Sequence, residues 1–184
     1  IAVIYGHTVM AQLIAKNKYS SLEQTDIKGW SIYHFAARHD RLEILQMFYE
    51  NPDYYIQYTQ DLKKNYPLQI ASKYGKYKIV EYLIKEKVDK NINHQNSRGL
   101  TAYHYAAQCG QLEVMKLLDA KSCLNQLFNK LGQNALHIAC FSGRSNCVEY
   151  LIKTMKFDPN ILLKSATQSN CLHLACKQGH LKII

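Results

Sequence analysis

No apolar run in this sequence approaches the roughly 18 residues that a membrane-crossing helix needs. Nor does the chain carry the basic start, apolar core and small-residue cleavage site of a secretory signal. Its first residue is Ile1 rather than methionine and its last four, Leu181-Lys182-Ile183-Ile184, are mostly apolar. A longer parent chain is the expectation. Catalytic signatures are missing too. There is no G-x-S-x-G for a nucleophile elbow, and no G-x-x-x-x-G-K-[ST] or H-E-x-x-H for phosphate or metal chemistry. Gly75-Lys76 runs into Tyr77 and so makes no phosphate loop. No catalytic residue and no cofactor can be named for this segment, although an enzyme elsewhere in the same polypeptide is not thereby excluded. Cysteine is absent from the N-terminal half: Cys109, Cys123, Cys140, Cys147, Cys171 and Cys176 all lie beyond it. With no secretory signal and a chain large enough to build a core, reduced thiols and a cytoplasmic setting are expected.

What is present is an ordinary soluble composition, 47% hydrophobic and 20% charged, too apolar for a disordered chain. The formal net charge is +9. Such a surplus suits nucleic acid, an anionic membrane face or an acidic partner. The lysines are scattered and form no block of five or six, so a solvated basic surface is the plainer explanation. An AT-rich coding genome would also raise Lys, Asn and Tyr without any functional reason.

The chain repeats itself. Trp30-Ser31-Ile32-Tyr33-His34-Phe35-Ala36-Ala37 returns as Tyr66-Pro67-Leu68-Gln69-Ile70-Ala71-Ser72 and as Leu100-Thr101-Ala102-Tyr103-His104-Tyr105-Ala106-Ala107. It returns again as Asn134-Ala135-Leu136-His137-Ile138-Ala139-Cys140 and Cys171-Leu172-His173-Leu174-Ala175-Cys176. The anchors 34, 69, 104, 137 and 173 stand 35, 35, 33 and 36 residues apart. A second phrase follows each at a fixed distance, starting at Asp40, Gly75, Gly110, Gly143 and Gly179, and the chain opens with the same phrase at Gly6.

The first phrase predicts a short helix entered through capping residues such as Ser31, Thr101 and Asn134. Pro67 sits where a missing N–H costs nothing, and the small Ala pair allows close packing. Gly75, Gly110, Gly143 and Gly179 end that helix in a conformation most residues resist. The second helix carries apolar residues at helical spacing, as in Ile79, Val80, Leu83 and Ile84, or Val114, Leu117 and Leu118. Turn-prone tetrads, 26–29, 96–99 and 129–132, join the units. One such pair cannot bury its apolar face alone, whereas stacked copies can. The expected fold class is an all-α solenoid of helix-turn-helix units with short hairpin-like loops.

These phrases resemble the ankyrin repeat, a turn followed by T-P-L-H-x-A on a period of about 33 residues. The resemblance covers essentially the whole chain as one array of about six units, approximately 1–25, 26–60, 61–95, 96–128, 129–164 and 165–184, the first and last incomplete. Departures are local. Gln69 replaces a signature His, Lys64 and Gln168 replace the turn Gly, and Asp40 replaces the mid-unit Gly. Steps above 33 imply insertions, expected around Tyr54–Tyr58 and Phe157–Lys164, in loops or lengthening the second helix.

His137-x-x-Cys140 and His173-x-x-Cys176 are ligand types that zinc sites use. The resemblance offers the stronger explanation: His34, His104, His137 and His173 occupy the signature position, whose hydrogen bonds hold neighbouring units. Cys140 and Cys176 stand at the second Ala of the pair, a small buried slot, and Cys147 falls on an apolar helix position. No metal is expected. Fourteen tyrosines among many lysines raise base stacking on nucleic acid. Tyr33 and Tyr103, however, stand at a core position, and Tyr82 and Tyr150 flank an apolar stripe, so nucleic acid is not the expected partner.

The resemblance also implies which side chains stay free: the turn residues and the pair after Ala-Ala, lining one concave surface. Here they are Lys28, Trp30, Arg38 and His39; Lys63, Asn65, Lys73 and Tyr74; Arg98, Leu100, Gln108 and Cys109; and Lys130, Gln133, Phe141 and Ser142. Trp30 and Tyr74 are types favoured at binding hot spots. The expected function is therefore a non-catalytic module that docks a protein partner, an acidic one by charge, on a preformed basic face. Two other readings stay open: a regulatory or substrate-recruiting part of a larger enzyme or channel, and a fixed subunit of a cytoskeletal or ciliary assembly. Oligomeric state is not written in the repeats.

Overall fold

The computed structural model describes residues 1–16, 24–51, 59–86, 88, 91–121, 124–163 and 168–183. Among them it is all helical: α1 (Ala2–Tyr5), α2 (Thr8–Lys16), α3 (Ile32–His39), α4 (Leu42–Glu50), α5 (Pro67–Lys73), α6 (Tyr77–Lys85), α7 (Ala102–Cys109), α8 (Leu112–Ala120), α9 (Ala135–Phe141), α10 (Ser145–Lys153) and α11 (Cys171–Gln178). The odd-numbered helices pack side by side in one row, α1 on α3, α3 on α5, α5 on α7, α7 on α9 and α9 on α11. Of the even-numbered helices, α6 and α10 flank α8 behind that row, and α2 packs on α4. None of the described helices is long and apolar enough to cross a membrane.

One continuous core runs between the rows. Ala36, Ala37, Ala71, Ala106, Ala107 and Ala139 are fully or almost fully buried where the inner helices approach one another. Ile44, Leu45, Ile79, Leu83, Met115, Leu118 and Leu151 fill the space behind them. Tyr33 and Tyr103 are buried as their place in the repeat implies, with the Tyr33 hydroxyl donating to the Phe48 carbonyl at 3.1 Å and that of Tyr103 to Asp119 Oδ2 at 2.8 Å. A phenol can occupy an apolar slot here because its hydroxyl reaches a partner beyond it.

From α3 onward each inner helix starts by the same device. Backbone N–H groups of Ser31, Thr101, Asn134 and Asn170 donate to Nδ1 of the histidine three residues on, at 3.1 to 3.4 Å. Nε2–H of His34, His104 and His137 then donates to a carbonyl further along the stack, that of Asn65, Leu127 and Ile161, each at 3.0 Å. One imidazole thereby caps its own helix and ties it to the chain that follows. Gln69 does the same work with an amide: Oε1 accepts from Tyr66 N–H at 2.8 Å and Nε2 donates to the Leu100 carbonyl at 2.9 Å. The departure from the signature costs no bond, because Gln also has an acceptor and a donor at opposite ends. His173 differs. It is exposed, and its ring is held through the cap of α11.

The chain reverses through tips built alike. A side-chain oxygen of Asp26, Asp61, Asn96 or Asn129 accepts from the backbone N–H two and four residues on, at 2.8 to 2.9 Å. Successive tips bond to one another: Leu62 N–H to the Lys28 carbonyl, Ser97 to Lys63 and Lys130 to Arg98, at 2.9 to 3.1 Å. The residues that displace the expected glycines still adopt left-handed backbone, with φ of 59° at Lys64, 41° at Gln168 and 60° at Asp40. Most side chains resist that region, so the bonds of the tip and the helix end impose it.

Two expectations are revised at the C-terminal end. Residues 181–183 form a turn and not a second helix. Cys176, expected in a buried slot, is exposed, because no described helix packs on the outer side of α11; Cys140, at the equivalent place in α9, is buried. The insertion expected around Tyr54–Tyr58 lies outside the described residues, as does Cys123. The other falls in the loop after α10, described as far as Leu163.

Candidate functional site

The turn tips and the C-terminal ends of the inner helices border a hollow of about 340 Å³, formed where α3, α5 and α7 stand side by side. Lys28, Trp30, Arg38, Lys63, Lys73 and Tyr74, all expected to be free, line it together. Cations and rings alternate along it. Lys28 lies 5.9 Å from the Trp30 ring centre and the Arg38 guanidinium 5.6 Å from it. Arg38 also lies 5.1 Å from the Tyr74 ring, and Lys73 reaches Tyr74 at 5.6 Å and Tyr105 at 5.9 Å.

The floor is rigid. Asp61, largely buried, accepts at Oδ1 from the backbone N–H groups of Lys63 and Asn65, and at Oδ2 from Trp30 Nε1 at 3.2 Å and Asn65 Nδ2 at 2.9 Å. Asn96 Nδ2 continues the network to Asn65 Oδ1 at 2.8 Å and to the Tyr105 hydroxyl at 3.0 Å. The Trp30 ring stacks on His34 at 6.1 Å and meets Phe35 edge-on at 5.5 Å. Its indole is fixed before any ligand arrives.

Electrostatics favour an anion. The described ion pairs, Lys85–Glu86, Lys116–Glu113 and Lys153–Glu149, lie away from the hollow. No carboxylate pairs with Lys28, Arg38 or Lys73 among the described residues, and Asp61 is saturated by its own donors. His39, expected to be free, does not line the hollow; it titrates below the ordinary imidazole range, through partial burial and the nearby Arg38, Arg41 and Lys76 cations.

Two expected contact residues are corrected. Asn65 is 3% exposed, because its amide is consumed by Asp61 and Asn96; it forms floor and not rim. Leu100 is 5% exposed, because it packs with Tyr105 and Ile138 in a small cluster. The remaining expected positions do not gather. Arg98 and Lys130 are exposed at successive tips, and Lys130 is one step out of register: the residue equivalent to Lys28, Lys63 and Arg98 is the exposed Leu131. The Gln133 amide oxygen accepts from Asn129 Nδ2 at 3.0 Å. The Gln108 and Phe141 carbonyls accept from Arg144 and His180. Cys109 is half-buried, and burial raises its thiol above the ordinary range; Ser142 is half-buried beside the exposed Phe141 ring.

The sequence reading missed five lining residues, Ile27, Asp61, Leu62, Ile70 and Tyr105. A signal existed for the last two and for Asp61. Asp61 shares its register with Asp26, Asn96 and Asn129, and the residue following each signature position, Phe35, Ile70, Tyr105 and Ile138, is apolar or aromatic every time. No group of three or more His, Cys, Asp or Glu able to hold a metal exists among the described residues.

A row of paired helices, with side chains of the tips and inner-helix ends open along one flank, defines the class: a repeat solenoid with an extended recognition face. The ankyrin-repeat family profile, written as three copies, matches residues 50–126 and 119–184, and the chain belongs to the ankyrin repeat family. Relatives include Notch-regulated ankyrin repeat-containing protein B of Danio rerio, 39% identical over 72 residues, covering 39% of this chain and 65% of the relative. Alpha-latrotoxin-Lg1a of Latrodectus geometricus is 28% identical over 84% of this chain and 13% of its own length. Transient receptor potential cation channel subfamily A member 1 of Homo sapiens is 29% identical over 74% of this chain and 12% of its own length. The chain thus spans less than two thirds of each of these relatives. Ankyrin repeats are protein-interaction modules, generally without catalysis.

Proposed function

We propose that this segment is a non-catalytic docking module that binds a segment of a protein partner in the hollow between Trp30, Arg38, Lys63, Lys73 and Tyr74, and that it works in the cytoplasm. The observation that carries this is the alternation of unpaired cations and aromatic rings along one preformed wall. A wall ordered in advance spares the partner part of the ordering cost of association, and its positive potential speeds the encounter. Rings of this kind supply most of the energy at protein interfaces. The test is recovery of bound partners by pull-down with the chain and with the combined variant Trp30→Ala, Arg38→Ala, Tyr74→Ala. Loss of the partner supports this face, and undiminished binding by the triple variant refutes it.

A second reading rests on the lengths of the relatives. The toxin and the channel are far longer than their matched region, so the array can equally serve as the docking arm of a larger membrane-associated protein. The flanking coding sequence decides: a catalytic or membrane-spanning stretch supports it, and its absence removes it.

A further inference from the structure

We infer that Arg38 is a carboxylate receiver, and that the segment recognised in the hollow is an extended acidic peptide that places one carboxylate against the edge of this guanidinium. The inference rests on the docking reading above and adds the ligand's chemistry to it. Arg38, in the last turn of α3, lies over two rings that come from different parts of the stack: Trp30 ahead of α3 and Tyr74 behind α5. No carboxylate pairs with Arg38 among the described residues, so its N–H groups are left for an acceptor, and the fork they form matches the two oxygens of a carboxylate.

Three observations single out this place. The Trp30 ring is fixed: its Nε1 donates to the largely buried Asp61, which is itself held by the turn that follows. The only carboxylate lining the hollow among the described residues, that of Asp61, has both oxygens engaged and cannot serve as the internal counter-ion. Lys28 lies 5.9 Å from the Trp30 ring and Lys73 5.6 Å from that of Tyr74, the same two rings that Arg38 contacts, so further positive charge stands close to Arg38. A carboxylate is favoured over a phosphate because the pocket offers one guanidinium and separated lysines. A phosphate dianion needs several donors converging on one point. Lysine at position 38 would keep the charge and lose the fork, which makes Arg38 a specificity-determining residue.

Trp30 is the only tryptophan, so its fluorescence reports this hollow directly. The test titrates the chain with hexaglutamate, with hexaglutamine as the uncharged control and a phosphoserine peptide of equal length, following Trp30 emission at low salt. Hexaglutamate is expected to shift the emission saturably and hexaglutamine to leave it unchanged. Arg38→Lys is expected to weaken hexaglutamate tenfold or more, Tyr74→Leu several-fold, and Lys78→Gln, a like removal of charge on α6, less than twofold. Hexaglutamate binding to Arg38→Lys as tightly as to the parent chain would show diffuse attraction and overturn the inference. Tenfold tighter binding of the phosphoserine peptide would overturn the carboxylate assignment. If the protein partner is lost from the triple variant yet retained in full by Arg38→Lys, docking in the hollow stands and the carboxylate receiver falls.

Discussion

The stretch from Lys28 to Tyr105 and the stretch from Arg98 to Ser142 present the same repeat positions, yet among the described residues only the first gathers cations and rings around one hollow. In the first, the positions after the Ala pair hold Arg38, Lys73 and Tyr74, and their side chains interleave across neighbouring helices with Trp30. In the second, the same positions hold Gln108, Cys109, Phe141 and Ser142, and the nearby Arg144 and His180 are spent on the backbone carbonyls of Gln108 and Phe141. Register in the repeat therefore narrows which residues are exposed, while the pairing of side-chain types between adjacent units decides whether they gather around one hollow. A cation needs a ring within about 6 Å to be held by it, and among the described residues only the N-terminal stretch supplies such pairs, at Lys28, Arg38 and Lys73.

The comparison is broken most directly by truncating one ring on each side. Trp30→Ala is expected to weaken the protein partner by about 2–4 kcal/mol, the range of interface hot spots. Phe141→Ala should change it by less than about 0.5 kcal/mol. Isothermal titration with the isolated partner measures both, and equal losses would erase the distinction between the stretches.

Acid sharpens a second difference. The tie from α5 uses the Gln69 amide, which does not titrate, whereas α3, α7 and α9 use imidazoles. Burial lowers the pKa of His34, His104 and His137, in His104 to about 4 from the ordinary 6.5. The unfolded chain therefore binds protons between these values that the folded chain refuses, and stability is lost as pH falls from about 6.5 toward 4. For His104 the loss is on the order of 3 kcal/mol at full extent. Thermal melts across that range should show it. His104→Gln, which copies the chemistry of position 69, should flatten part of the slope, and a melting temperature that rises on acidification would contradict the assignment.

Smaller effects come from the turn tips. Gly99, at φ 74°, has no room for a side chain: a Cβ there would stand 2.8 Å from the Lys130 backbone nitrogen. Gly99→Ala should destabilise by about 2 kcal/mol, combining left-handed strain with that contact. Lys64, at the equivalent place beside the hollow, bears φ 59° on an exposed side chain. Lys64→Gly should stabilise by about 0.5 kcal/mol, the relieved strain being partly offset by the greater freedom of glycine when unfolded. Denaturant titration resolves the opposite signs, and equal signs would mean that the two tips are not equivalent.

The sequence alone determined the repeat, the helix pairs, the caps at Ser31, Thr101 and Asn134, and the buried Ala pairs. These depend on contacts that recur at one spacing, so each unit testifies for the others. It also named seven of the residues that line the hollow, of which Asn65 is floor. Asn65 and Leu100 were misjudged because register does not reveal that an amide is consumed by Asp61 and Asn96, or that a leucine has Tyr105 and Ile138 to pack on. Tertiary structure decided that Trp30, Arg38 and Tyr74 meet while Gln108 and Phe141 form no such wall. Their meeting depends on distances between side chains of adjacent units, which the stacking of inner helices sets and which no single repeat encodes.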